Sequence, residues 1–280
     1  MATHALRPEE EWAKQIMAAA LGLPVLQHDD GSSERQHDLE VIGPDGTSSP
    51  VEVTAAADGE SIALWKLMNG TAGRWIDPGI CGGWFVGLLP GARAKRLRRE
   101  LPGLLAMLEE LGATSLDPRP WGRHDLEVIG MELGIEHAQQ SATGFPGSIY
   151  ITVVQPNEQR GGFVPDSGDA LAEWIGGFLG DARRRDVLQK LAATGAEDRH
   201  AFVLVPGFST APFEVIDLTM RDGAPAPRVD PELPPAVTDV WVASSWLSGH
   251  CFHWSHGSGW QRFEKVFARS SSARERETAP

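Results

Sequence analysis

Cysteine is almost missing: Cys81 and Cys251 are the only two in 280 residues and lie far apart in the sequence. A disulfide framework is therefore excluded as the device that organises the fold. Tyrosine is rarer still, one residue against ten tryptophans. Aromatic packing then falls to indoles and phenylalanines, with rings buried and indole N–H groups bonded. Long apolar runs are absent too. The longest stretches, such as Trp84 to Leu89, are far too short to cross a bilayer, and Trp84 to Leu89 and Ala201 to Val205 have strand length. Nothing before residue 20 joins a charged start to an apolar stretch. The expectation is a soluble protein of the reducing cytoplasm with no membrane partner.

Positive charge is also short, with 25 Lys and Arg against 38 Asp and Glu for a net charge of −13. Such a surface repels polyanions at long range and excludes a general nucleic-acid coat. Local contact with a phosphate backbone depends instead on where the basic residues cluster.

What is present suffices for a real core, since 41 % of the 280 residues are hydrophobic. From Pro8 to Leu21, Trp12, Ile16 and Ala20 form one apolar stripe and Glu9, Glu10 and Glu11 fill the first turn, which predicts a helix. His37 to Gly43 alternates, Pro44-Asp45-Gly46 supplies a turn, and Pro50 to Thr54 completes a hairpin. A helix follows through Ile62, Trp65 and Met68. Gly82 to Leu89 reads as a strand, and Ala92 to Leu111 as a helix bent or split at Pro102. Further strands are expected at Leu126 to Ile129, Ser148 to Val154, Ala201 to Val205, Val237 to Ala243, Cys251 to Trp254 and Trp260 to Phe263. Helices are expected over Gly168 to Leu179 and Ala182 to Ala193. Ala224 to Pro235, with five prolines, is a stiff connector.

The alternation of strands and helices specifies an α/β class with a mixed central sheet flanked by helices. The expected organisation is a core over residues 1–155, a sheet extension or small second domain over 156–269, and a disordered tail from 270 to 280. One heptapeptide, His37 to Gly43, recurs unchanged as His124 to Gly130 with unmatched flanks. It reads as a strand in both places, and a single recurrence defines no repeat period.

Two carboxylates at adjacent strand ends can share a hard divalent cation such as Mg²⁺, which takes oxygen ligands and keeps waters for chemistry. The hairpin places Asp38 and Glu52 so, and the Val53 carbonyl would add a third oxygen. An acid-bearing helix at Glu10 or Glu11, then Asp38, then Glu52-Val53-Thr54 and a helix resembles the PD-(D/E)XK phosphodiesterase superfamily. The match covers about residues 8 to 72. The resemblance implies a restriction-endonuclease-like N-terminal core, Mg²⁺ held by the acids, Glu11 assisting through metal or water, and hydrolysis of nucleic acid. Thr54 stands where that family carries a lysine, and Lys66 on the following helix is the candidate substitute. The alternative is a catalytically inactive nuclease-like protein that binds a protein partner.

Arg93, Lys95, Arg96, Arg98 and Arg99 form a basic run at a helix start, where cations oppose the dipole. It could grip phosphates without reading bases, or be a solvated helix face. Arg183 to Arg185 is a second such run. His250, Cys251, His253 and His256 bring zinc to mind, but on a strand no single face of that segment offers three ligands. A Walker loop, a GxGxxG after a strand and a GxSxG elbow are all missing from the sequence.

Overall fold

The computed structural model describes residues 5–31, 36–70, 73–118, 125–141, 145–154 and 166–266. The chain divides into two compact units, one of Met1–Ala56 with Gly162–Pro280 and one of Ala57–Gly161.

The first unit opens with helix α1 (Pro8–Leu21). Pro8 has no N–H to leave unpaired, and the Glu10 carboxylate accepts the Arg7 backbone N–H at 2.7 Å. Gly22, at φ 66°, closes the helix in the left-handed region. Strands β1 (Val25–Gln27), β2 (Leu39–Ile42) and β3 (Ser48–Ala55) follow as an antiparallel meander with Leu39 opposite Val51.

The second unit then runs through α2 (Gly59–Asn69), β4 (Trp75–Ile76), β5 (Gly83–Leu88), α3 (Ala94–Glu110), β6 (Ser115–Leu116), α4 (Asp125–Leu133), β7 (Ile135–Ser141) and β8 (Ser148–Val153). Its five strands lie in the order β4-β8-β5-β7-β6, with β5 and β8 parallel. Trp84, Val86, Ile149 and Ile151 are buried on one face of this sheet, and the Trp84 indole donates to Glu109 at 2.9 Å.

The chain returns to the first unit with α5 (Asp169–Gly180), a 3₁₀ turn at Ala182–Arg184, α6 (Arg185–Ala193), β9 (His200–Val205), α7 (Phe213–Met220), β10 (Asp239–Ser244), β11 (His250–Ser255) and β12 (Gly259–Glu264). These strands complete a seven-stranded sheet in the order β1-β2-β3-β9-β10-β11-β12. β9 lies parallel to both β3 and β10, while β11 and β12 are antiparallel additions. Alternation along the strands gives the sheet two apolar faces. Val51, Val53, Phe202, Leu204, Trp241 and Cys251 pack with Ala13, Ile16 and Met17 of α1. On the other face Ala201, Val203, Val240, Val242 and Phe252 meet Leu171, Ile175, Leu191, Val215 and Leu218 from α5, α6 and α7.

The fold is α/β with mixed sheets. Two expectations are corrected. The division falls at 56/57 and 161/162 rather than at 155/156, because β9 pairs with β3 while residues 57–161 build their own sheet. Leu126 to Ile129 is helical within α4, whereas the identical Leu39 to Ile42 is β2. Of the two outcomes expected at Pro102, a bend or a split, the split does not occur: α3 runs unbroken to Glu110. The tail expected at 270–280 lies outside the described residues.

Candidate active site

Asp38 ends the loop before β2, and the β2–β3 register carries it to the level of Glu52 in mid β3. Both are buried, at 4 % and 2 % exposure. The Val53 amide donates to Asp38 Oδ2 at 2.7 Å, and Arg7 Nη2 reaches Oδ1 at 3.3 Å. Arg7 also bonds Glu10 through Nε, so one guanidinium bridges an acid of α1 and the acid before β2. On the other side stands Lys190 of α6, its Nζ 3.3 Å from Glu52 Oε1 and 3.5 Å from Oε2, with Asp186 at 3.8 Å. The ammonium is oriented to donate to Oε2. Glu52 Oε1 is buried without a hydrogen-bond partner.

The electrostatics follow from that crowding. Burial pushes the Glu52 carboxyl up to about 8, the nearby Asp38 charge adds to the rise, and Lys190 offsets only part of it. Burial likewise lifts Asp38 to about 6 against the pull of the Val53 amide, with Glu10 adding to the rise. The Lys190 ammonium is pulled down by burial, but Glu52 and Asp38 outweigh this and raise it net. Burial and mutual repulsion thus favour a proton on this pair, at Glu52 ahead of Asp38, beside a fixed cation. Two carboxylates of this kind, one with an orphaned oxygen, form a donor set suited to a hard divalent ion.

The structure therefore brings together Asp38, Glu52 and Val53, the last through its N–H. Glu11 is outside this group: its carboxylate accepts from Gln15 at 2.6 Å, and the buried acid of α1 is Glu10. Lys66 is exposed on α2 of the second unit, and the ammonium at Glu52 belongs to Lys190. Sequence reasoning missed Lys190 because it lies 138 residues beyond Glu52. The available signal was its placement one turn after Asp186 in a helix feeding a buried strand.

The basic run sits on α3 of the second unit and is partly neutralised. Arg96 pairs with Glu100 and Glu132 at 2.9 and 2.7 Å, and Arg99 with Glu100 at 2.5 Å. Arg93 and Lys95 are exposed, and Arg93 and Arg96 line a cavity of about 570 Å³. Among the described residues, two groups of three side chains place metal-ligating atoms within 4.8 Å of one another: His28, His37 and Glu40, and His200, Asp239 and His253. Asp38 and Glu52 belong to neither. Cys251 is fully buried and its thiol is pushed up to about 12 by burial, which removes it as a nucleophile. No family model, no curated protein and no solved structure matches this chain.

Proposed function

We propose that the chain is a divalent-metal-dependent phosphodiesterase acting on nucleic acid, with a PD-(D/E)XK-like core in which Lys190 replaces the lysine missing at Thr54. The observation that carries this reading is Lys190 Nζ 3.3 Å from Glu52, beside a buried Asp38. The elements of the first unit support it as well: an acid-bearing helix, an antiparallel meander with Glu52 on its third strand and, after the second unit, helices α5 and α6 leading into β9, which lies parallel to that third strand. Asp38 and Glu52 would hold Mg²⁺, which supplies charge to the phosphoryl oxygens and lowers the pKa of bound water. Lys190 adds a positive charge where negative charge builds on the phosphate. Glu10 acts at one remove, fixing Arg7 against Asp38. Arg93, Lys95, Arg96 and Arg99 remain the proposed contacts to the backbone of the nucleic acid.

The test is cleavage of mixed DNA and RNA with Mg²⁺ or Mn²⁺, beside calorimetric metal binding. Lys190→Met should cut the rate roughly 10²–10³-fold and leave metal binding in place. Glu52→Gln should abolish cleavage and Mg²⁺ binding. Divalent-dependent cleavage that survives in Glu52→Gln would sink the assignment. A second reading, an inactive nuclease-like module that binds a protein partner, is favoured by Arg7, which already satisfies Asp38. It predicts neither metal binding nor cleavage in the wild type.

A further inference from the structure

Glu52 and Lys190 lie on the α5–α7 side of the seven-stranded sheet. On the α1 side, three polar residues interrupt an otherwise apolar layer. His200 and Asp239 open the parallel strands β9 and β10 side by side, and His253 comes from β11. All three are buried, at 7, 7 and 6 % exposure. His253 Nε2 lies 3.1 Å from Asp239 Oδ1, and His200 Nδ1 lies 3.8 Å from the same oxygen.

We propose that His200, Asp239 and His253 bind one first-row divalent cation of the Zn²⁺ type through Nδ1, Oδ1 and Nε2. Tetrahedral zinc with bonds of about 2.0–2.1 Å sets neighbouring ligand atoms roughly 3.3 Å apart; the two spacings to Asp239 Oδ1, 3.1 and 3.8 Å, bracket that value, and the two ring nitrogens lie within 4.8 Å of each other. Two imidazoles and one carboxylate form a borderline donor set that selects zinc and its neighbours over Mg²⁺.

Charge points the same way: among the described residues, no lysine or arginine pairs with the buried Asp239, so a carboxylate there has no full counter-charge.

The surroundings are already ordered. The Thr238 hydroxyl donates to Asp239 Oδ2 at 2.8 Å, and the Trp241 ring stacks on His253 at 3.8 Å and 13°. The Trp241 indole N–H faces His200 Nδ1 at a long 3.3 Å, so that nitrogen is unprotonated and its lone pair is held by a weak bond. His253 Nδ1 is buried and unpartnered, leaving Nε2 as that ring's polar contact. His200 also lines a cavity of about 490 Å³ with Leu21, Leu23, Val41 and Asp198. The grouping of His28, His37 and Glu40 fits an ion less well. Its rings are stacked at 3.8 Å and only 6° apart, so their in-plane lone pairs cannot converge on one centre.

The test uses the full chain, stripped of metal and titrated with Zn²⁺ against a chromophoric chelator, in the wild type and in His37→Ala, which removes the other grouping. One equivalent should bind in both, and it should raise the melting temperature by about 5–10 °C at saturating metal. His253→Asn and Asp239→Asn should each weaken binding at least 100-fold. If those variants fail to fold, zinc-edge X-ray absorption on His37→Ala decides: two imidazole ligands support the site, and one or none overturns it. Absence of Zn²⁺ binding in the wild type, or loss of it in His37→Ala alone, also overturns it.

Discussion

At Glu52 the cost of burying charge exceeds what Lys190 returns, and the consequence can be measured as pH dependence. Its folded pKa of about 8 and the value of about 6 at Asp38 both lie above those of free carboxyls. A raised carboxyl stabilises the fold while protonated, and that contribution is lost as pH rises through the folded value. The metal-free chain should therefore lose stability from this pair between about pH 4 and pH 8, on the order of several kcal/mol. Urea unfolding of wild type and Glu52→Gln isolates the upper part of the window. It also separates Glu52 from Lys265, which burial pulls down to about 8 and whose titration acts in the opposite sense. The variant should be flatter between about pH 6 and pH 8; parallel curves would mean Glu52 is ionised throughout. The same carboxyl should lose its proton when metal arrives, because ligands bind deprotonated. Calorimetry of Mn²⁺ binding at pH 7 in buffers of different ionisation enthalpy should report release of about one proton, falling toward zero at pH 9.

Elements differ in how far local sequence determines them, and the repeated heptapeptide makes the difference visible. Leu39 to Ile42 becomes a strand because Gly43, Pro44 and Gly46 stop it in a turn and its apolar alternation meets the α1 face. In the second copy, Met131, Glu132 and Leu133 continue the chain without a breaker, and helix spacing buries Gly130 and Leu133. A period of two read over four residues is compatible with either outcome. Buried strands such as Ala201 to Val205, and helices with caps such as α1, were legible for the converse reason, since pattern and punctuation agree. Asp38 and Glu52 were legible because a short hairpin fixes their register. Lys190 and the His200–Asp239–His253 cluster were not, because parallel pairing joins strands distant in sequence, and reading 250–256 along its own strand could not see across it. Asn69 is a similar case on α2. Its amide donates to Ile151 O at 2.8 Å and accepts from Ile151 N at 3.0 Å, taking the place of a strand partner for β8. Asn69→Leu would leave both backbone groups buried and unpaired, so it should cost about 1–3 kcal/mol per group. Denaturant unfolding checks this, and a loss below about 0.5 kcal/mol would show that the backbone finds other partners.

The whole chain is two cores with different charge. Residues 57–161 carry twelve acids and ten bases, while the remainder carries twenty-six acids and fifteen bases. The long-range repulsion of polyanions thus originates in the unit that holds Asp38 and Glu52, and the basic run belongs to the nearly neutral one. Under the proposed function, the second unit would recruit a nucleic acid that the first repels, and the two activities should then be separable. The second unit has its own sheet with buried Trp84, Val86, Leu88, Leu101, Leu104, Ile149 and Ile151. At about a hundred residues it is long enough to bury a core alone. Residues 57–161 expressed as a fragment should unfold cooperatively and retain salt-sensitive binding to single- or double-stranded DNA or RNA. Replacing Arg93, Lys95, Arg96 and Arg99 by glutamine should weaken that binding at least tenfold and make its salt dependence shallower, by about one unit of slope for each phosphate no longer neutralised. In the full chain the same quadruple variant should raise KM for cleavage and leave Mn²⁺ affinity unchanged. A folded fragment with no affinity for nucleic acid would remove the recruiting role, and the basic run would then be the solvated face of α3, with Arg96 and Arg99 occupied by Glu100 and Glu132.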